Sequence, residues 1–400
     1  MSERRLPYGR QHINSDDIDA VCRVLKSDFI TQGPLIPQFE EALSDYCGAK
    51  HAVAVNSATS ALHIACMALG VGKGDSVWTT PNTFVASANC ARYCLADVDF
   101  VDIDPRTYNM CPKALATKLK HARANALPLP KVIIVVHFAG QPCDMSMFAK
   151  LADKYDFKLI EDASHAIGAT YEEKPVGNCR YSDITVFSFH PVKIITTCEG
   201  GMALTNSDSL AQSMRLTRSH GVFKPEVERG RSSDEPWAYE QVLLGYNYRM
   251  TDVHAALGLS QMRRLGEFVD RRHELALQYS KALSHLPFEL PSTVNQSRSA
   301  LHLYPILVSP GDDHCATRLA LFQFLQANGI GVNVHYIPVH TQPYYQNLGY
   351  SWGDFPVAED YYQRTISLPL FGTMTDAEQD RVIGLLEEFS SSQPRSRLAA

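Results

Sequence analysis

Ile184-Thr-Val-Phe-Ser-Phe-His-Pro-Val-Lys193 opens with β-branched and aromatic side chains that follow one another without a charge. A half-exposed strand alternates apolar and polar residues, whereas an unbroken run of this kind predicts a strand covered on both faces, as in a parallel sheet. The run ends on its only lysine. Lysine is ordinarily a surface residue. In apolar surroundings its charge is disfavoured, leaving an amine that is nucleophilic near neutral pH, as Schiff-base formation with an aldehyde requires.

Working outward, Lys131-Val-Ile-Ile-Val-Val136 and Phe157-Lys-Leu-Ile160 read as further buried strands, as do His51-Ala-Val-Ala-Val55, Ser76-Val-Trp-Thr-Thr80 and Phe100-Val-Asp-Ile103. Helical patterns separate them: Ser15 to Leu25, with its Asp-rich start, and a segment opened by Ser57-Ala-Thr-Ser60 that runs through Leu69 before Gly70, Gly72 and Gly74 break it. Strand and helix in alternation predict an α/β fold with a mostly parallel sheet covered by helices. Gly221 to Trp237 reads as a long mobile loop. A long helix from about Val253 to Leu286 is expected to bridge to a smaller C-terminal α/β domain, with strands at Leu301 to Val308 and Gly331 to Tyr336 and helices at Cys315 to Ala327 and Asp376 to Glu388. The expected division is an N-terminal segment near the active site (1–14), a large domain (15–252), the bridging helix and small domain (253–390) and a flexible tail (391–400), with disorder setting in from Ser390.

The chain has 400 residues, of which 45% are apolar, enough for a sizeable core, and a formal net charge of −6. That charge gives no general attraction to nucleic acid or anionic membranes, so an anionic ligand must be held by local groups. No stretch is apolar enough to predict a membrane span and the N-terminus lacks the apolar core of a secretion signal, so the expected location is the cytoplasm. Ten cysteines spread without a CxxC pair read as reduced core residues. Cys90 and Cys94 share the spacing of one helix face, but no second pair completes a metal site, so no metal is expected.

Ligands of open parallel sheets bind beyond the strand ends. Asn56-Ser-Ala-Thr-Ser60 follows a strand and opens a helix, where free N–H groups could hold a phosphate; a simple N-cap is the plainer reading. Glu161-Asp162 ends another strand, with His165 three residues on, and a carboxylate there could pair with a ring nitrogen that must stay protonated, or serve as a cap or metal ligand. Ser188 could donate to a phosphate from the strand that leads to Lys193, and Glu199-Gly200-Gly201 supplies a close-approach turn. Gly245-Tyr-Asn-Tyr-Arg-Met250 is a polar insertion whose plainer reading is an interface or helix start.

In order and spacing, Asn56-Ser-Ala-Thr-Ser-Ala-Leu62, Glu161-Asp-Ala-Ser-His-Ala-Ile-Gly168, Ser188-Phe-His-Pro-Val-Lys193, Glu199-Gly-Gly201 and Gly245-Tyr-Asn-Tyr-Arg-Met250 resemble the sugar-nucleotide aminotransferases of DegT/StrS type. The resemblance runs from about residue 8 to 390. It implies the aspartate-aminotransferase-like type I fold, pyridoxal 5'-phosphate (PLP) as cofactor and a homodimer with shared active sites. It casts Lys193 as the lysine that binds the cofactor aldehyde and Asp162 as the partner of the ring nitrogen. It likewise places His165 beside the phenolic oxygen, Thr59, Ser60 and Ser188 at the phosphate, Phe84 of Pro81-Asn-Thr-Phe84 stacked on the ring, and Asn247 reaching the phosphate from the neighbouring subunit. Arg249 takes no assigned role, and Cys198 stands where many members have glycine.

Within that family the likeness is greatest to the pseudaminic acid branch, carried by Ile30-Thr-Gln-Gly-Pro34, Phe189-His-Pro-Val-Lys-Ile-Ile-Thr-Thr197, Arg218-Ser-His-Gly221 and Val334-His-Tyr-Ile-Pro338, followed by His340 and Tyr344-Tyr345. This implies amination of a UDP-linked 4-keto-6-deoxy-N-acetyl-L-hexosamine by L-glutamate, with Tyr8, His335, Tyr336 and His340 as candidates for the sugar nucleotide. A strand aromatic or histidine is as often simply packed. Another nucleotide-linked keto sugar, such as dTDP-4-keto-6-deoxyglucose, is the nearest alternative. A dehydratase of the same family carries His in place of Lys193, and a sugar-sensing regulator needs neither Lys193 nor Asp162; the presence of both argues for the aminotransferase.

Overall fold

The computed structural model describes residues 5–392 apart from 224–236, 293, 295 and 311–312. The predicted buried runs assemble into one seven-stranded sheet, ordered His51–Val55, Gly201–Thr205, Ile184–Ser188, Lys158–Asp162, Val132–Val136, Ser76–Thr79, Asp97–Phe100. Gly201–Thr205 is antiparallel to both neighbours and the remaining pairings are parallel, so six strands point their C-terminal ends to one edge. Val132–Val136 and Ile184–Ser188 are buried along their whole length, which is why they read as unbroken apolar runs. Apolar clusters fill both faces. One joins Val53, Ile134, Ile160 and Val186 to Leu62 and Ile64, and the other joins Ala54, Phe187 and Met202 to Phe39 and Leu43.

Local chemistry sets the helix starts. Asn14 and Asp17 form a reciprocal capping box at the head of Ser15–Leu25. Asp17 is fully buried and also receives Arg264 and Gln261 Nε2 (2.7 Å), so this helix is tied to residues far along the chain. The same contacts account for a correction: the helix expected over Val253 to Leu286 is two, Asp252–Met262 and Leu265–Ala282. The break falls where Gln261 and Arg264 turn toward Asp17, a tertiary pull with no Gly or Pro at the break itself to announce it.

A second, antiparallel sheet joins Phe288–Glu289, Tyr304–Val308 and Thr365–Leu368, backed by His314–Ala327 and Asp376–Ser392. The strand expected at Gly331 to Tyr336 is absent from it. Isolated bridges, Leu6 to Ile330 and Asn333 to Ser367, hold that segment, and from Asn333 to Tyr336 it lines a cavity. Asp97–Phe100 lies three residues before the strand start expected at Phe100, and the last helix carries Ser390 through Ser392, where a disordered tail was expected. Most of the loop expected at Gly221 to Trp237 lies outside the described residues; Val222–Phe223 at its start pairs with Glu240–Gln241. Among the described residues no helix is long and apolar enough to cross a membrane, and no cluster of side chains could hold a metal ion.

Candidate active site

A cavity of about 510 Å³ opens at the C-terminal edge of the six co-directional strands. Ser57, Ala58 and Thr59 line it from the end of the first strand, Asp162, Ser164 and His165 from the Lys158–Asp162 strand, Ser188 and Lys193 from the Ile184–Ser188 strand, and Phe84 from the loop after Ser76–Thr79. Gly200 closes the floor. The turn needs glycine for space, because a Cβ at Gly201 would lie 2.5 Å from the Ala58 nitrogen and one at Gly200 2.2 Å from Thr197 Oγ1. Arg218 steadies the strand behind the phosphate segment, pairing with Glu40 and donating to the Ala54 carbonyl at 2.8 Å.

Lys193 ends in this cavity, walled in by protein yet facing the open space. Burial pushes its amine down to about 8, and the Asp162 carboxylate pulls the other way without restoring the ordinary value. Asp162 is buried and held on both oxygens: Ser87 Oγ donates to Oδ2 at 2.6 Å and the Ser164 N–H to Oδ1 at 3.1 Å. Behind it Glu161 anchors the strand end through His137 Nε2 at 2.8 Å and the hydroxyl of Thr185 at 3.1 Å. His137 Nδ1 accepts from the Cys143 N–H at 3.0 Å, so its proton sits on Nε2 and points at Glu161.

The same reasoning fixes His165. Its Nδ1 accepts from the Ala139 N–H at 3.3 Å, so Nε2 carries the hydrogen and donates it to the Tyr336 hydroxyl oxygen at 3.1 Å. Tyr336 is left with its own O–H for the cavity. Burial lowers His165 well below the usual histidine range, and the nearby Lys193 and His335 add to this; His302, its ring 4.4 Å from His165, is lowered well by burial too, and His335 is pushed down to about 3. All three are therefore neutral at pH 7, and Lys193 is the sole Lys or Arg among the described residues lining the cavity.

Placed against the sequence expectations, Lys193, Asp162, His165, Thr59, Ser188, Phe84, Tyr8, His335 and Tyr336 all meet at this one cavity. Three candidates do not line it. Ser60 spends its hydroxyl locally, donating to Asn56 Oδ1 at 2.6 Å beside Ser57 Oγ at 2.9 Å, while its N–H is capped by Ser57 Oγ at 3.1 Å. His340 is fully buried against Glu359 at 2.8 Å, which holds the turn Gly353 to Phe355 through the backbone N–H groups of those two residues; it is a packing residue, the plainer reading of a histidine in that position. Asn247 is exposed. Its segment, far from Asn56 in sequence, runs alongside it in the same chain, with the Asn56 N–H donating to the Tyr248 carbonyl at 2.8 Å.

Sequence reasoning missed Ser87, Asn333 and His302. Ser87 sits in Ala86-Ser-Ala88, where nothing marks it, and His302 reads as one more residue of an apolar strand start. Asn333 donates to His335 Nε2 at 3.4 Å, turning the Nδ1 hydrogen toward Ser367 Oγ at 2.9 Å.

The donor set fits PLP. It offers an amine that loses its proton more readily than an ordinary lysine's for the aldehyde, a buried, doubly held carboxylate for the ring nitrogen, and a half-exposed Phe84 face beside it. For the phosphate there are Ser188 and the first turn of the Ala58–Ala68 helix, whose early N–H groups carry the positive end of the helix dipole.

Comparison with known proteins agrees. The profile of the DegT/DnrJ/EryC1/StrS aminotransferase family matches residues 11–387. The chain is 39% identical over 390 residues to a UDP-4-amino-4,6-dideoxy-N-acetyl-beta-L-altrosamine transaminase of Campylobacter jejuni, covering 96% of this chain and 98% of that protein. It is also 39% identical over 380 residues to the spore coat polysaccharide biosynthesis protein SpsC of Bacillus subtilis, covering 94% and 95%. The structure of Helicobacter pylori PseC, an aminotransferase involved in the biosynthesis of pseudoaminic acid, superposes with a TM-score of 0.88 at 31% identity, covering 98% of this chain and 100% of that one.

Proposed function

The chain belongs to the DegT/DnrJ/EryC1/StrS aminotransferase family, whose members are PLP-dependent sugar aminotransferases of the type I fold, and from that premise we propose that it carries an amino group from L-glutamate to the 4-keto carbon of a UDP-linked 4-keto-6-deoxy-N-acetyl-L-hexosamine. The product is UDP-4-amino-4,6-dideoxy-N-acetyl-beta-L-altrosamine, and glutamate leaves as its 2-oxo acid. The observation that carries aminotransfer is the Lys193 amine, pushed down to about 8, in one cavity with Asp162 and a helix N-terminus.

PLP supplies an aldehyde to take up the amino group and a ring that accepts electrons from the donor's α-carbon. The chain's own residues do the rest. Asp162, fixed by Ser87 and Ser164, holds a proton on the ring nitrogen. Lys193 Nζ would hold the cofactor through its aldehyde and, when free, would move the proton at the donor's α-carbon. Thr59, Ser188 and the helix N-terminus would hold the phosphate, and Phe84 would lie beside the ring. Tyr336, whose oxygen accepts from His165, presents its O–H toward the substrate, and Tyr8 and His335 lie beside it with ring centroids 5.4 Å apart.

The cavity's lining supports a site shared between two chains. Glutamate brings two carboxylates and the sugar nucleotide a diphosphate, yet the only Lys or Arg among the described lining residues is Lys193. In this reading a neighbouring subunit completes the site, its Asn247 amide donating to the phosphate. Because Asn247 also lies near Asn56 in its own chain, heterodimers of Lys193→Ala with Asn247→Ala separate the two arrangements. A shared site recovers activity approaching that of one intact site, whereas a site within one chain recovers none.

The equal likeness to a spore coat polysaccharide protein favours a second sugar as the competing reading. Mass spectrometry of products from UDP- and dTDP-linked 4-keto sugars with glutamate tests the choice. Faster turnover per site on the UDP-linked L-sugar supports the proposal, and equal or faster turnover on dTDP-4-keto-6-deoxyglucose overturns it.

A further inference from the structure

Ser87, the donor to Asp162, is itself in contact with a buried threonine. Thr83, in Pro81-Asn-Thr-Phe84, places its Oγ1 2.8 Å from Ser87 Oγ. Were the two hydroxyls alone, either could donate across that contact. Asp162 decides the direction: Ser87 Oγ lies 2.6 Å from Asp162 Oδ2, within the range of a hydroxyl bonded to a carboxylate, and an ionised carboxylate only accepts. The single Ser87 hydrogen is therefore spent on Asp162, and the Thr83 hydroxyl donates to Ser87.

We propose that Thr83 is a positioning residue which, by donating to Ser87, keeps the Ser87 hydrogen on Asp162. A serine in the first turn of a helix can instead turn its hydrogen to a carbonyl one turn back. A donor held on its oxygen fixes the hydroxyl, and each bond in such a chain strengthens the next. The ordinary job of a threonine just ahead of a helix is to cap it. Here the N-cap position of Ala86–Tyr93 is Val85, with no side-chain cap, and the Ser87 N–H goes to the Phe84 carbonyl at 3.3 Å. The Thr83 hydroxyl turns to the Ser87 side chain instead.

The loop that carries Thr83 is held on both sides. Asn82 Nδ2 donates to the Tyr108 carbonyl at 3.1 Å, and the Val339 N–H donates to the Pro81 carbonyl at 2.9 Å. Phe84 follows directly, its ring half-exposed at the cavity that Thr83 also lines. One short loop thus sets both the face offered to the cofactor and the donor chain that ends on the carboxylate. A carboxylate that keeps its donors stays charged, which leaves a shared proton on the ring nitrogen. This role for Thr83 rests on Asp162 being the partner of that nitrogen, and the test separates the two.

The experiment uses holoenzyme loaded with PLP isotopically labelled at its ring nitrogen, whose magnetic resonance reports protonation there, together with cofactor affinity from visible absorbance on dilution. Thr83→Val removes the hydroxyl at nearly constant volume. The resonance should move toward that of a neutral pyridine, and cofactor affinity should weaken roughly fivefold, the size of one neutral hydrogen bond. Thr83→Ser should restore both, and Thr83→Ala, which lacks the hydroxyl without burying a new methyl, should repeat the loss. In a Ser87→Ala background Thr83→Val should weaken affinity no further, because the two residues act as one chain. A resonance that moves in Asp162→Asn but stays in place in Thr83→Val and Thr83→Ala would overturn the proposal, as would losses from Thr83→Val and Ser87→Ala that simply add. A resonance unmoved in Asp162→Asn would remove the partner of the ring nitrogen, and the role of Thr83 with it.

Discussion

The cofactor end of the cavity and the end lined by Tyr8, His335 and Tyr336 are made from different parts of the chain. Asn56 to Thr59, Asp162 and Ser188 follow or end strands of one sheet, so backbone ladders set their spacing before any side chain is considered. Tyr8, His302 and Asn333 to Tyr336 come instead from the N-terminal segment and from connections around the small sheet. Their positions rest on individual contacts: a bridge from Leu6 to Ile330, Ser367 beside His335, and His165 against Tyr336. On the proposed function, reaction chemistry is fixed by the sheet and substrate choice by long-range packing, as when sites are grafted onto a shared fold.

The sharpest break of that contrast is Lys193→Ala. Turnover should fall by about 10³-fold or more, since proton transfer by a positioned group alone contributes on the order of 10²–10⁴, and the visible absorbance of lysine-bound cofactor should disappear. Borohydride reduction and peptide mapping check the attachment directly. Label on another lysine would move the centre of the site.

Next in size is the pH dependence of aldehyde capture by the cofactor-free protein. Burial lowers the amine to about 8, so the neutral, reactive form is favoured from a lower pH than for an exposed lysine. At pH 7 roughly 10% of the amine is neutral, on the order of 300 times the fraction of an ordinary lysine. Capture should rise with pH and level off above about 8. A rate still climbing steeply past pH 9 would show that burial does not depress this amine.

Ser87→Ala loosens the cofactor end without touching the cofactor. A hydrogen bond to a charged group contributes about 1.5 kcal/mol or more, and Asp162 keeps its second donor in the Ser164 N–H. Cofactor affinity, followed by visible absorbance on dilution, should weaken about tenfold. Unchanged affinity would mean that the sheet alone fixes Asp162.

How much of each end was legible follows from the same contrast. The run ending at Lys193, the strand ending at Glu161-Asp162 and the helix opening at Ser57 carried their signals locally, in charge-free apolar stretches and helix-start chemistry. All three were placed correctly. Ser87 was invisible because its partner is 75 positions away, and His302 because its role depends on where His165 lies. His340 misled for the converse reason: its neighbours His335 and Tyr336 do reach the cavity, while a buried Glu359 draws His340 away from it. The break between Asp252–Met262 and Leu265–Ala282 was hidden likewise, since Asp17 at the other end of the chain produces it.

The smallest expected effect separates packing from contact within the less legible end itself. Tyr336→Phe removes one hydroxyl whose oxygen accepts from His165 and whose hydrogen faces the cavity. A neutral hydrogen bond contributes about 1 kcal/mol, so KM for the sugar nucleotide should rise roughly fivefold while the cofactor's absorbance stays unchanged. His340→Gln, four residues further on, should leave that KM alone. It should instead lower the unfolding midpoint, because Glu359 loses a partner in a fully buried pair whose disruption leaves polar atoms unmatched. If both variants raise KM, His340 reaches the substrate through the turn that Glu359 holds; if neither does, Tyr336 serves only to position His165, and the sugar is read elsewhere in the cavity.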